Sequence, residues 1–197
     1  KTPKAKANAT TVSGTVDITF TLDASSLAGE TIVVFEDLYR NNLEVATHAD
    51  INDQEQTIYF PEIGTTATNE EDGSKLISSE ADVTIADEVA YQNLIPGKTY
   101  TLTATLMDKA TQKPLIVNGK PVIVTSQFTP KTATGTHIVS ITFDASDLKG
   151  KTIVVFEDLT LGGKDIAVHH DITDEGQTVE VPDNKISTSA IDLEDGD

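Results

Sequence analysis

The chain has 197 residues, 38% of them hydrophobic and 23% charged, with a net charge of −18, no cysteine and no tryptophan. That length gives one or two domains with a modest core, and the composition belongs to a folded protein rather than a disordered one. The charge disfavours nucleic acid and anionic membrane surfaces, which need clustered Lys and Arg, and the missing cysteine excludes disulfides, zinc fingers and thiol nucleophiles.

In chain order, the first element of note is TIVVFEDL at Thr31–Leu38, preceded by Asp-Ala-Ser from Asp23 and followed by H-x-D-I-x-D-x-x-Q-T at His48–Thr57. An I-x-T-x-A segment opens at Ile63 and runs through acidic residues to Gly73. Apolar or β-branched runs then predict strands at Ala81–Ile85, Thr99–Leu106, Pro121–Phe128, His137–Phe143, Thr152–Phe156, Ile166–Ile172 and Thr178–Val181. Pro-Gly at 96–97, Asn-Gly at 118–119 and Gly-Gly at 162–163 punctuate them as turns. No stretch holds a 3.6-residue apolar period, so the reading is all-β. About seven short strands in 120 residues imply an immunoglobulin-like β-sandwich.

The later elements repeat the earlier ones. Residues 11–61 align without a gap on 132–182 at an offset of 121, with 25 of 51 positions identical, and Ile63–Gly73 resembles Ile186–Gly196. A period near 120 residues is that of a whole domain. The expected organisation is tandem: 1–62 the later part of one repeat, 63–182 a complete repeat, and 183–197 the opening strand of a third. No run approaches the ~18 apolar residues of a membrane span, and no signal peptide opens the sequence. For a secreted protein, signal and anchor would lie outside this stretch.

Period-2 alternation places several polar residues on apolar faces. Gln177 lies with Val179 and Val181, Thr65 with Ile63 and Ala67, Glu157 with Ile153 and Val155, and His169 with Ala167. The same frame recurs at Gln56, Glu36, His48 and Thr188. Burial of such groups costs several kcal/mol unless they are paired, about 1–3 for each unsatisfied neutral group. Singly, each reads as a backbone-bonded core residue, a capped carboxylate or a half-buried histidine. Their joint recurrence points to chemistry. A base such as His can activate a Thr hydroxyl, and a carboxyl kept neutral by burial can polarise a Gln amide, so acyl transfer from Gln to Thr would leave an ester and release ammonia.

Three motifs in order, I-x-T-x-A, VVFEDL and H-x-D-I-x-D-x-x-Q-T, resemble the T-Q ester-bond domains, also called VaFE repeats. DEVAYQNLIPGKTYTL at Asp87–Leu102 is similar to that family's middle region. The resemblance implies tandem domains of adhesins anchored outside the cell to the Gram-positive wall, each locked by an autocatalytic ester between its first and last strands. It implies Thr65 as nucleophile, Gln177 as acyl group, His169 as base, Glu157 as acid and Asp87 as second acid, with Glu88 and Asp82 competing for that last place. Thr66 adjoins Thr65, but Ser189 stands in its place in the next copy, where Thr188 preserves Thr65. The implied role is a stalk that reacts once per site and needs no cofactor or metal. Its partners would be neighbouring repeats of the array and a host ligand held by a distal domain outside this chain. The opening strand with Thr188 is expected to be able to dock on another molecule's partial repeat.

Three other readings stay open at this stage. A carbohydrate or calcium site lacks both an EF-hand pattern and stacking tryptophans. A hydrolase built on His169 and Asp171 lacks a G-x-S-x-G elbow. A Lys–Asn isopeptide lock is a related strategy.

Overall fold

The structure, a computed structural model, describes residues 4–5 and 13–183, so Thr188 and the 184–197 segment lie outside the described residues. The described elements are all strands. Four belong to the first copy: β1 (Thr31–Val33), β2 (Glu36–Arg40), β3 (Leu43–His48) and β4 (Thr57–Tyr59). Eleven follow: β5 (Glu62–Asn69), β6 (Val83–Gln92), β7 (Tyr100–Asp108), β8 (Lys113–Pro114), β9 (Ile116–Val117), β10 (Lys120–Pro121), β11 (Ile123–Phe128), β12 (Gly135–Phe143), β13 (Lys151–Leu161), β14 (Lys164–His169) and β15 (Thr178–Val181).

Two antiparallel sheets face each other across the core of residues 62–181. One has the order β12-β6-β5, and the other runs β11-β7-β13-β14, with β15 also paired to β13. Strand β13 is long enough to hold two neighbours on one side: Lys151–Val154 pairs with β15, and Glu157–Leu161 pairs with β14. The strict in–out burial of Ile63, Thr65 and Ala67 on β5 and of Ile85, Asp87 and Val89 on β6 is the pleat of a half-buried strand. Side chains such as Leu102, Leu106, Ile141, Ile153 and Leu159 fill the space between the sheets with no exposure at all. The fold is the all-β sandwich that the turn spacing implies.

Three strands differ clearly from their sequence boundaries. Strand β13 runs on past Phe156 to Leu161, through Glu157 and Asp158, where the apolar run ends but the ladder to β7 does not. Strand β6 continues past Ile85 to Gln92, because Asp87 takes an inward position that an apolar-run reading rejects. Strand β14 stops at His169 rather than Ile172. There Asp171 caps a tight turn by accepting from the Thr173 backbone N–H at 2.9 Å, which ends the ladder.

First and last strands meet along one seam. The Ala67 N–H donates to the Gly176 carbonyl at 3.0 Å, and residues 75–77 run beside β15 through Ile77 N to Glu180 O and Glu180 N to Lys75 O, each 2.8 Å. The edges of the two sheets are thereby stitched to one another.

Among the described residues the first copy forms two ribbons, β1 with β4 and β2 with β3. Val16, Ile18, Phe20 and Leu22 alternate like the aligned residues of β12 but form no strand and stand 39–50% exposed. Among the described residues nothing stands beside them as β6 stands beside β12, and a strand needs a partner to satisfy its backbone.

Candidate functional site

Thr65 sits in the middle of β5, and its side chain points into the sandwich because alternation from Ile63 requires it. Gln177 immediately precedes β15 and is held by the Asp174–Gln177 turn, whose closing bond runs from Gln177 N to Asp174 O. The Gln177 side-chain Nε2 donates to the Thr65 Oγ1 in a very close contact. Both residues are buried, Thr65 at 8% exposure and Gln177 at 0%, and 112 residues of chain separate them. Thr66 points outward and is exposed, so alternation alone separates the two neighbouring threonines.

Asp87 and Glu157 are fully buried and face one another across the core, one from each sheet. Glu157 lies opposite His169 in the β13–β14 register. Neither of the acids competing with Asp87 is inward: Glu88 and Asp82 are exposed, and Asp82 holds a left-handed backbone at φ 61°. None of the four carboxyl oxygens of Asp87 and Glu157 finds a partner at hydrogen-bonding geometry, and the Gln177 Oε1 also lacks one. Buried carboxyls without donors are costly as anions, so burial drives both toward the neutral acid. Glu157 is pushed up to about 10, first by burial and then by the neighbouring Asp87 and Asp158. Asp87 is raised as well, by burial, while Glu157, His169 and Lys75 pull it partly back. The pair therefore carries at least one proton at neutral pH, and Glu157 is the carboxyl raised further.

His169 is half-buried at the end of β14, with its Nε2 2.7 Å from the Asp174 Oδ2. The other Asp174 oxygen accepts from the Gly176 N–H at 2.7 Å, so one carboxylate fixes both the imidazole and the turn that presents Gln177. Asp171, the residue weighed as a histidine partner in the hydrolase reading, instead binds Thr173. The His–Asp pair recurs in the first copy, where the His48 Nε2 lies 2.6 Å from the Asp53 Oδ2.

Two residues of the site were not singled out from the sequence. Asp174 falls in a turn without periodicity, and its signal was the five-residue spacing to histidine that both copies share. Lys75 lies between β5 and β6, the sole Lys or Arg between Arg40 and Lys98. Its Nζ donates to the Ala67 carbonyl at 2.5 Å and to the Gly176 carbonyl at 2.6 Å, bridging the seam on either side of the Thr65–Gln177 contact. Burial lowers its pKa, while Asp174, Asp87 and Glu175 oppose that shift.

The remaining sequence candidates belong to the partial copies. Gln56 and Glu36 are half-buried in the first copy, and His48 is more exposed than His169, at 52% against 25% of the side chain. Among the described residues no strand faces them as β5 faces Gln177, and Thr188 lies outside those residues. No cluster of His, Asp and Glu with metal-ligand geometry occurs among the described residues.

A family model described as the T-Q ester bond containing domain matches residues 1–60 and again residues 61–181. Among solved structures, a bacterial adhesin from Mobiluncus mulieris containing intramolecular disulfide, isopeptide and ester bond cross-links is similar in fold. In one crystal form the TM-score is 0.54 at 18% identity, and in a second it is 0.52 at 19%. Each match takes in 62% of this chain and 57% of the adhesin chain, so the likeness spans little more than half of that protein. No curated protein gives a significant match to the chain.

Proposed function

Since the chain belongs to the T-Q ester bond domain family, we propose that Thr65 and Gln177 join in an ester across the seam between β5 and β15. We propose further that the locked repeat is a load-bearing segment of a bacterial surface adhesin. The observation that carries this reading is the buried Gln177 amide held against the Thr65 hydroxyl. Two reactants at contact distance in a folded core have a large effective molarity.

With its Nε2–H donated to Asp174, His169 keeps a lone pair on Nδ1 for the Thr65 hydroxyl proton. The Thr65 Oγ1 bonds to the Gln177 side-chain carbonyl carbon, and the electron pair moves onto Oε1. That oxygen has no donor in the folded chain, and the neutral Glu157 carboxyl would supply one as charge builds on it. Collapse breaks the C–N bond, and the proton returns from His169 to the departing nitrogen. One C–O bond replaces one C–N bond, and ammonia leaves. Exclusion of water by the surrounding Val and Ile protects the ester from hydrolysis. Asp174 orients the base, and Lys75 holds both arms of the reaction in register.

Intact mass tests the reading. The folded chain should be lighter than its sequence by one ammonia, and Thr65→Ala and Gln177→Ala should each restore the full sequence mass. Thr65→Ser, which keeps a hydroxyl, should still cross-link. Peptide mapping must join the Thr65 and Gln177 peptides, which separates an ester here from an isopeptide elsewhere. Full sequence mass in the folded parent chain sinks the proposal.

Lys75→Met keeps the aliphatic stem and removes both seam hydrogen bonds. We expect the cross-linking rate, followed by mass after refolding, to fall roughly 10- to 100-fold, the cost of an ångström-scale misplacement of reactants. An unchanged rate would remove Lys75 from the positioning set.

The stalk role follows from where the tie sits. A pull along the array enters the repeat near Glu62 and leaves near Val181. An ester between β5 and the start of β15 would carry that load past the rest of the sandwich. Placement outside the cell, on a wall-anchored protein, belongs to the same proposal and draws on the adhesin likeness.

A further inference from the structure

The segment DEVAYQNLIPGKTYTL contributes Asp87 to the ester site, but its Asn-Leu pair has no part there. Strand β6 ends at Gln92, and Asn93 turns into the left-handed region at φ 60°. Leu94, only 2% exposed, then plunges into the core, with its N–H donating to the Ala133 carbonyl at 3.0 Å. Asn93 is thus pinned on both sides, and its carboxamide is aimed away from its own repeat. The Nδ2 donates to the carbonyls of Gly29 at 2.8 Å, Phe60 at 3.1 Å and Glu30 at 3.2 Å, all in the preceding copy. Two N–H protons are shared among three converging carbonyl oxygens.

Those carbonyls converge because of one tight turn. It is closed by Leu27 N to Ala24 O at 3.0 Å and Glu30 N to Leu27 O at 2.9 Å, and tied to the last strand by Gly29 N to Phe60 O at 3.1 Å. Glycine suits position 29 because its φ is +76°, and a Cβ there would also push aside the ends of the Gln92 and Glu62 side chains, which bond to each other beside it.

The same turn exists one repeat later. Leu148 N donates to Ala145 O at 3.0 Å, Lys151 N to Leu148 O at 3.0 Å and Gly150 N to Val181 O at 2.7 Å, with Gly150 again at φ +76°. Asp183, the residue aligned with Glu62, lies in ordinary contact range of Gly150.

We infer that this turn is an inter-repeat docking cradle, in which each repeat offers three backbone carbonyls to the Asn carboxamide of the repeat that follows it. The clasp fixes the angle between neighbours. The cradle at Gly150, Lys151 and Val181 is the binding surface for the Asn-Leu turn of another copy of this repeat. The carbonyls carry no charge, so the junction is insensitive to the acidity of the surface. The inference goes beyond the ester and stands whether or not the ester forms.

The chain has no cysteine, so labels can be placed at will. Leu43→Cys and Thr125→Cys put spin labels on exposed strand positions either side of the junction, and Thr31→Cys with Leu43→Cys reports on the first copy alone. Pulsed dipolar spectroscopy on the full chain should give one narrow distance distribution for the junction pair. Asn93→Gly keeps the left-handed backbone but loses the donor, and Asn93→Asp keeps the shape but turns oxygens toward the carbonyls. Each should at least double the width of the junction distribution, leave the pair inside the first copy unchanged, and leave the difference between intact and sequence mass as in the parent. An unbroadened junction pair in both variants, or equal broadening of the two pairs, overturns the clasp.

Discussion

Thr65→Ala is expected to melt roughly 15–20 °C below the parent chain, with its two sheets otherwise intact. The magnitude follows from loop closure. Thr65 and Gln177 are 112 residues apart, and a covalent tie closing a loop of about 100 residues removes unfolded-state entropy worth about 4–5 kcal/mol. For a domain of this size each kcal/mol moves the midpoint by about 4 °C. The hydroxyl itself contributes far less, since a single buried hydrogen bond is worth about 1 kcal/mol. Scanning calorimetry of Thr65→Ala against Thr65→Ser separates the two effects, because the serine variant can still close the loop. A difference of only a degree or two between them would place the tie outside the stability of the fold. Proteolysis should follow the same order, with cleavage of Thr65→Ala fastest.

The buried acids add a pH dependence to that comparison. Asp87 and Glu157 have folded pKa values raised above 3.8 and 4.5. Stability linked to them is fully present below about pH 4 and declines as pH rises toward about 10, the folded value of Glu157. Thr65→Ala, with the smaller reserve, should reach its unfolding limit first on the alkaline side.

How much of this was legible depends on which physical pattern each residue obeys. Thr65, Glu157 and Gln177 could be placed inward because they sit on, or immediately beside, strands whose neighbours alternate cleanly. Asp87 could not be placed by pattern, since Asp87 and Glu88 together interrupt the apolar run of β6. Its burial is paid through an altered protonation state rather than signalled in the sequence. Asp174 and Lys75 act from loops, where side-chain direction follows hydrogen bonding and not periodicity. Recurrence was the stronger signal there: the histidine and the aspartate five residues on are kept in both copies and form the same pair in both. For Asn93 the sequence gives no counterpart to compare, and its meaning emerges only when the carbonyls of Gly29, Glu30 and Phe60 are seen to converge on it. The first copy shows the opposite case. Val16, Ile18, Phe20 and Leu22 have a strand's alternation but no strand, because pairing is a property of two segments and only one is present among the described residues.

His169→Ala is expected to slow ester formation by roughly 10²- to 10⁴-fold, the range that a positioned base supplies. The sandwich itself should fold, because His169 is a half-buried strand end with one side-chain partner, Asp174. Asp174→Asn should fall between His169→Ala and the parent, since it leaves the imidazole in place but loosens both its orientation and the turn at Gly176. The acid is read out separately by pH. With Glu157 held protonated up to about 10, the rate should not fall on its account through neutral pH, but should drop as pH rises past that value and the donor at Oε1 is lost. Glu157→Gln retains a neutral N–H donor that does not titrate, so its rate is lower than the parent's but lacks the alkaline fall. Glu157→Ala loses the donor at every pH and should be the slower of the two. The measurement is the time course of ammonia loss by intact mass after refolding, repeated across pH for each variant. If Glu157→Gln keeps the parent's alkaline fall, the titrating group is another residue, and the neutral carboxyl of Glu157 has no part in polarising the Gln177 amide.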